Sequence, residues 1–264
     1  MRIDTIASLT GAQMTGQCDM QVEWLLTDSR SLCVPERTLF FAIRTDRGDG
    51  HKYVRDLYDR GVRAFVVDSL QEGLPQAVQL LVQDTLIALQ RLAERHRESY
   101  DIPVIGITGS NGKTVVKEWL YQMLSPDMVV TRSPRSYNSQ IGVPLSVWQL
   151  TAGSQIGIFE AGISQPGEME ALQRIIQPTI GVFTGLGPAH QENFQSMEQK
   201  RQEKMLLFKD CPIVFEAGDE DDALERDRNL CARVCRHLGM SEDVIQERLS
   251  RLEPVAMRLE VKQG

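Results

Sequence analysis

The sequence predicts an α/β protein: a small N-terminal α/β domain followed by a parallel-sheet domain of the P-loop type. Three observations carry this. Apolar runs of strand length recur and are separated by stretches with helical spacing, as in a parallel sheet covered on both faces. One of these runs, PVIGITG at 103–109, opens directly into SNGKT and then a helical pattern. The chain has 264 residues, 42% apolar and 25% charged, which is ordinary for one large globular domain or two small ones.

The elements follow in order. TLFFAI (38–43) and RAFVVD (63–68) read as strands, with YVRDLYDRG (53–61) as a helix ending at Gly61. LIALQRLAERHRESY (86–100) has helical apolar spacing and leads into the second domain. There, strands are expected at 103–109, 127–133, 155–162, 179–185 and 212–218, with a helix at 115–124. SMEQKRQEKMLLF (196–208) reads as an amphipathic helix. The charged stretch 216–229 reads as a solvated loop running into a helix over 230–252, and EPVAMRLEVKQG as the start of a strand.

The net charge of −7 and pI near 5.2 argue against a general nucleic-acid binder, since no basic stripe is available to release counterions. No apolar run reaches the length of a membrane span, and the N-terminus lacks a signal peptide's long apolar core. Five cysteines (Cys18, Cys33, Cys211, Cys231, Cys235) form no CxxC pair; they read as core thiols of a reducing cytoplasm. Four histidines make a zinc cluster a poor expectation.

The chemistry centres on GITGSNGKT. A glycine-rich loop between a buried strand and a helix points backbone N–H groups at phosphate oxygens. The strict G-x-x-x-x-G-K-[ST] spacing fails by one position, because Ile107 occupies the place of the first glycine. The shorter G-x-x-G-K-T form remains: Gly109, Ser110, Asn111, Gly112, Lys113, Thr114. Lys113 would neutralise phosphate charge and the Thr114 hydroxyl would bind Mg²⁺. Glu160 ends a strand whose carboxyl end faces the same edge, where a carboxylate could ligate Mg²⁺ or hold its water. His190 follows the next strand; a lone histidine is more often structural. Lys200 and Lys204 lie four apart on the 196–208 helix, and composition favours a solvated face for both.

Taken together, GITGSNGKTVVKEWL, SYNSQIGVPLSVWQL, FEAGISQPGEME, GPAHQENFQSMEQKRQEK and EPVAMRLE resemble, in order, the Mur ligases, which build the peptide of the bacterial cell wall. TDSRSLCVPERTLFFAI and GDGHKYVRDLYDRGVRAFVVD are most similar to the branch that adds D-alanyl-D-alanine to UDP-N-acetylmuramoyl-tripeptide. Their style is similar to members of Bacteroidetes type, some of them fused to alanine racemase. The resemblance implies a cytoplasmic, monomeric ATP-dependent ligase: ATP phosphorylates the tripeptide carboxylate, and the dipeptide amine attacks the acyl phosphate. Such chemistry needs positioning and charge neutralisation more than a protein nucleophile. It further implies that Gly109 to Thr114 cradle ATP, that Thr114 and Glu160 hold one Mg²⁺ and His190 a second, and that Lys204, fourteen residues after His190, is carbamylated into an anionic metal ligand. Lys113, Glu160, His190 and Lys204 are thereby the expected catalytic set. Ser29, Arg30, Asp49, Gly50 and His51 match positions that hold or border the UDP-sugar; Asn138 and Ser139 match an Asn-Asn pair near the substrates.

Departures accompany the match. Gly185 and Ser139 replace family asparagines, and the asparagines expected near adenine are not evident, Asp227 and Asn229 being the nearest candidates. The expected domains are 1–98 (UDP-sugar), 99–255 (ATPase, shortened after about 218) and 256–264, where a C-terminal domain would begin. A shortened ligase is therefore expected. The alternatives are an inactive fragment that only binds nucleotide or UDP-sugar, or another Mur ligase or folylpolyglutamate synthase-type ligase.

Overall fold

Short runs of valine, leucine and phenylalanine build the sheet of the first unit, Met1–Ser99. A computed structural model of the chain describes residues 1–16, 19–45, 48–187 and 193–255. In this unit the elements are α1 (Ile3–Thr10), β1 (Gln13–Thr15), β2 (Trp24–Leu26), β3 (Thr38–Phe41), β4 (Arg44–Thr45), β5 (Gly48–Asp49), α2 (Val54–Asp59), β6 (Ala64–Val67), β7 (Val78–Leu81) and α3 (Thr85–Arg97). The main sheet runs β1-β7-β6-β3-β2. Its strands are parallel except β1, which is antiparallel to β7. Every residue of β3 and β6 is buried, which is why both read as continuous apolar runs. The helix expected at 53–61 begins only at Val54, after a 3₁₀ turn over Gly50–Tyr53. Asp84 caps α3 by accepting from the Leu86 and Ile87 amides.

The second unit, from Tyr100 onward, contains β8 (Val104–Thr108), α4 (Lys113–Leu124), β9 (Val130–Arg132), α5 (Gly142–Val147), β10 (Ile156–Glu160), α6 (Met169–Ile176), β11 (Ile180–Phe183), α7 (Met197–Met205), β12 (Ile213–Glu216), α8 (Ala223–His237) and α9 (Glu242–Ser250). The strands form one parallel sheet, β12-β11-β8-β10-β9. The chain leaves β8 toward the β10–β9 side and later crosses to the β11–β12 side. The winding thus reverses at β8, and the crevice beyond its carboxyl end is where such sheets bind ligands. One face is covered by α4 and α8, whose Val116, Leu120, Met123, Leu230 and Val234 pack on Ile105, Ile158 and Val182. Full burial of each such side chain is worth about 1.5–3 kcal/mol.

Several expectations are corrected. The single helix over 230–252 is two helices, because Gly239 turns the chain with a positive φ of 88°. The loop at 216–229 is already helical from Ala223, capped by Asp222; most of its charges face solvent, but Asp227 is buried. Cys231 and Cys235 are core thiols, but Cys33 is exposed and Cys211 only partly buried. Cys18 and residues 256–264, with the strand expected there, lie outside the described residues. No helix among the described residues is long and apolar enough to cross a membrane.

Candidate active site

The phosphate-type loop connects β8, the central strand, to α4. Two glycines in it are obligatory. Gly109 has φ 152° and a β-carbon there would lie 2.1 Å from the Thr184 hydroxyl; Gly112 has φ 81° and a β-carbon there would lie 2.9 Å from Asp227 Oδ2. The Ser110 amide donates to the Gly185 carbonyl at 2.9 Å, so the end of β11 braces the loop. This use of Gly185 is made through its main chain. The Lys113 amine curls back over the loop, donating to the Gly109 carbonyl at 2.8 Å and the Ser110 carbonyl at 3.3 Å. Burial lowers the Lys113 pKa from its ordinary value, with Glu160 opposing and Lys200 adding to the effect. The Ser110 hydroxyl is buried without a hydrogen-bond partner.

Glu160 is fully buried at the end of β10. Its Oε2 accepts from the Thr114 hydroxyl at 3.1 Å and from the Asn138 amide at 3.4 Å. Its Oε1 sits 3.0 Å from the Lys117 amine, yet that contact lacks hydrogen-bond alignment and leaves the oxygen's lone pairs unused. Lys117, also 0% exposed, donates to the Ser133 carbonyl at 2.9 Å and to that of Arg135. Sequence pattern alone does not single out Lys117: it is one more lysine in a helical stretch, four residues after Lys113. The hydroxyl of Ser139, expected beside Asn138 near the substrates, accepts from the Gly142 amide at 3.2 Å, at the start of α5.

The solvated face expected for Lys200 and Lys204 is overturned. They are the two buried residues of α7, while Met197 is 40% exposed. The buried face of this helix is thus basic rather than apolar. Lys200 donates to the Gly187 carbonyl at 2.6 Å. Burial first, then the like charges of Lys113 and Lys200, bring the Lys204 amine down to about 7. His190 lies outside the described residues. Among the described residues no group of three or more His, Cys, Asp or Glu is gathered for a metal. A metal here would rely on the mixed oxygen set of Thr114 and Glu160.

In the first unit, Asp49, Gly50 and His51 follow β5. His51 is buried; its Nδ1 lies 2.6 Å from Asp49 Oδ1, and its Nε2 accepts from the Asp68 amide at 3.2 Å. This assigns the proton to Nδ1. Arg44 closes the cluster, pairing with Asp49 at 2.8 Å and Asp68 at 2.6 Å. These partners hold both carboxyls below the usual range: the His51 amide leads at Asp49, and the Arg44 side chain at Asp68. No motif in the sequence pointed to Arg44 or Asp68. Ser29 and Arg30 follow β2, at the edge of the main sheet; Arg30 is exposed and paired with Asp28 at 2.7 Å, and the buried Ser29 offers its carbonyl to Arg60.

Comparison with known proteins supplies the family. The Mur ligase middle domain model matches residues 107–248, more than half of the chain. The chain belongs to the Mur ligase family. The UDP-N-acetylmuramoyl-tripeptide–D-alanyl-D-alanine ligase of Bacillus subtilis is 33% identical over 204 residues, covering 75% of this chain and 44% of that protein. The Synechocystis protein of the same name is 38% identical over 173 residues, covering 65% and 38%. Among solved structures, MurF from Acinetobacter baumannii superposes with a TM-score of 0.88 at 20% identity, over 98% of this chain and 69% of that one. MurF from Thermotoga maritima, solved in complex with ADP, gives 0.78 at 22% identity over 90% and 68%. These structural likenesses speak for the fold. The chain spans less than half the length of these curated relatives.

Proposed function

We propose that this Mur ligase chain works in the cytoplasmic, ATP-dependent addition of D-alanyl-D-alanine to UDP-N-acetylmuramoyl-tripeptide, in peptidoglycan synthesis. The observation that carries the reading is the Thr114 hydroxyl held 3.1 Å from the fully buried Glu160 carboxylate, at the head of the glycine loop. A hydroxyl and a carboxylate are the hard oxygen donors Mg²⁺ prefers. Thr114 and Glu160 would hold it, with His190 and a carbamylated Lys204 completing the metal set. Bound there, Mg²⁺ supplies charge neutralisation at phosphate oxygens.

The chain's own residues supply the rest. The loop from Gly109 to Thr114 presents backbone N–H groups to the ATP phosphates, and Lys113 swings from the loop carbonyls onto them. Lys117 fixes the Glu160 carboxylate from behind. A buried lysine near 7 spends much of its time as the neutral amine, the form that adds CO2 to give a carbamate. Asn138 lies where a substrate carboxylate would meet the phosphate loop. Asp49, Gly50 and His51, with Ser29 and Arg30 after β2, are the UDP-sugar candidates.

The test is phosphate release by the purified chain with Mg-ATP, UDP-N-acetylmuramoyl-tripeptide and D-alanyl-D-alanine, each omitted in turn. Release that needs all three is the expected result. Release independent of the dipeptide, or none, refutes the ligase reading for this chain. Intact-mass measurement in bicarbonate should show one added CO2, lost in Lys204→Met; its absence refutes the carbamate.

A further inference from the structure

Asp227 has no part in the ligase chemistry proposed above, yet its carboxylate abuts the phosphate loop. It projects from α8 against Gly112, the residue that ends the loop and N-caps α4. A β-carbon on Gly112 would lie 2.9 Å from Oδ2 and 3.2 Å from Oδ1. The side chain is nearly enclosed, the residue being 4% exposed, and Oδ1 has no hydrogen-bond partner. The nearest cation, Arg226 Nε, stands off at 3.8 Å and is itself without a hydrogen-bond partner.

The charges around this group are few. On its own helix, Arg226 opposes the effect of burial, and the Cys231 thiol one turn on feels the carboxylate. None of α4, α9 and β12, the elements packed on α8, contributes a charge to it among the described residues; Lys113, at the start of α4, has its amine committed to the Gly109 and Ser110 carbonyls.

An anion is at home beside a helix N-terminus, whose free N–H groups carry partial positive charge. Polyphosphate seeks the same place. Two anions brought close in a dry site cannot both stay ionised at low cost, and the weaker acid yields by taking up a proton. We propose that Asp227 is a counter-anion built against the phosphate loop, and that a nucleoside diphosphate binding there drives its carboxylate to take up one proton from solvent. The inference rests on the phosphate-loop reading. Burial has already pushed the carboxyl up to about 6, so a further rise of about two units leaves it mostly protonated at pH 7. Binding therefore strengthens as pH falls.

The experiment is calorimetric titration with ADP at fixed Mg²⁺, at pH 7, in two buffers of different ionisation enthalpy, on the whole chain and on Asp227→Asn. ADP's own protonation is common to both proteins, so the difference reports Asp227. The wild type should take up close to one proton more per ADP than the variant. The variant should bind more tightly at pH 8, by about tenfold for each pKa unit by which ADP raises the carboxyl, and the advantage should vanish below pH 6. Equal proton counts, or weaker binding by Asp227→Asn, overturn the inference and leave the phosphate loop standing. No ADP binding by the wild type overturns both. If the variant does not fold, a carboxyl ¹³C titration of the wild-type protein, free and ADP-saturated, decides instead: the Asp227 pKa must rise with ADP, and an unmoved value overturns the proposal.

Discussion

Replacing Lys117 with methionine keeps the apolar stem and removes the cation that faces Glu160. Both side chains are fully enclosed, 3.0 Å apart, so no water can take the amine's place. Breaking a buried pair by removing one partner costs about 3–5 kcal/mol, because the surviving charge stays buried. The Ser133 and Arg135 carbonyls lose their donor as well, which adds at least about 1 kcal/mol. A loss of roughly 4–6 kcal/mol in a unit of this size lowers Tm by about 8–24 °C at some 2–4 °C per kcal/mol. Circular dichroism melts of Lys117→Met, Glu160→Gln and the double variant measure it. The double variant should recover most of the loss, since no lone charge remains. A drop below about 3 °C for Lys117→Met, or losses that add in the double variant, would refute the account of Glu160 as an acid held by this lysine.

Gly109→Ala should lose both stability and ADP affinity, because the new β-carbon would meet the Thr184 hydroxyl at 2.1 Å; a wild-type melt and isotherm would refute the role given to that glycine. Lys204 titrates near 7 in the fold against 10.5 for an ordinary lysine. Between those values the unfolded chain binds more protons, so stability rises with pH, by at most about 1.4 kcal/mol per unit. Urea midpoints at pH 7, 8 and 9 in CO2-free buffer should show that slope in the wild type and not in Lys204→Met; equal slopes refute it. Burial lifts the Cys231 thiol well above its ordinary value and the Cys235 thiol to about 12. Alkylation followed by peptide mapping should therefore find Cys33 modified at once, and Cys231 and Cys235 only after unfolding.

The second sheet was legible because a strand buried on both faces is apolar along most of its length, as residues 104–107 and 156–159 are. The loop was legible because its backbone demands glycine at 109 and 112. Strands of three or four residues in the first unit, such as β1 and β7, fall below the length at which alternation is readable. The burial of the helix lysines was not legible from composition. Nothing in MEQKRQEKM says which side of the helix meets the sheet, so Lys200 and Lys204 read as solvated. Lys117 gave no sign of turning inward onto Glu160. Asp227 sits in a run of charges whose burial depends on a helix docking across α4.

One helix carries more than its loop. Thr114 and Lys117 of α4 both reach Glu160. Farther along, the Trp119 indole donates to the Glu253 carbonyl at 3.1 Å, and Gln122 accepts from the Glu253 amide at 2.9 Å. The distance along the axis from Lys113 to Gln122 is about 13 Å at 1.5 Å per residue. Loop, acid and the Glu253 segment are thus fixed to a single rod. A tilt of about five degrees at the loop end moves the Glu253 grip by about 1 Å.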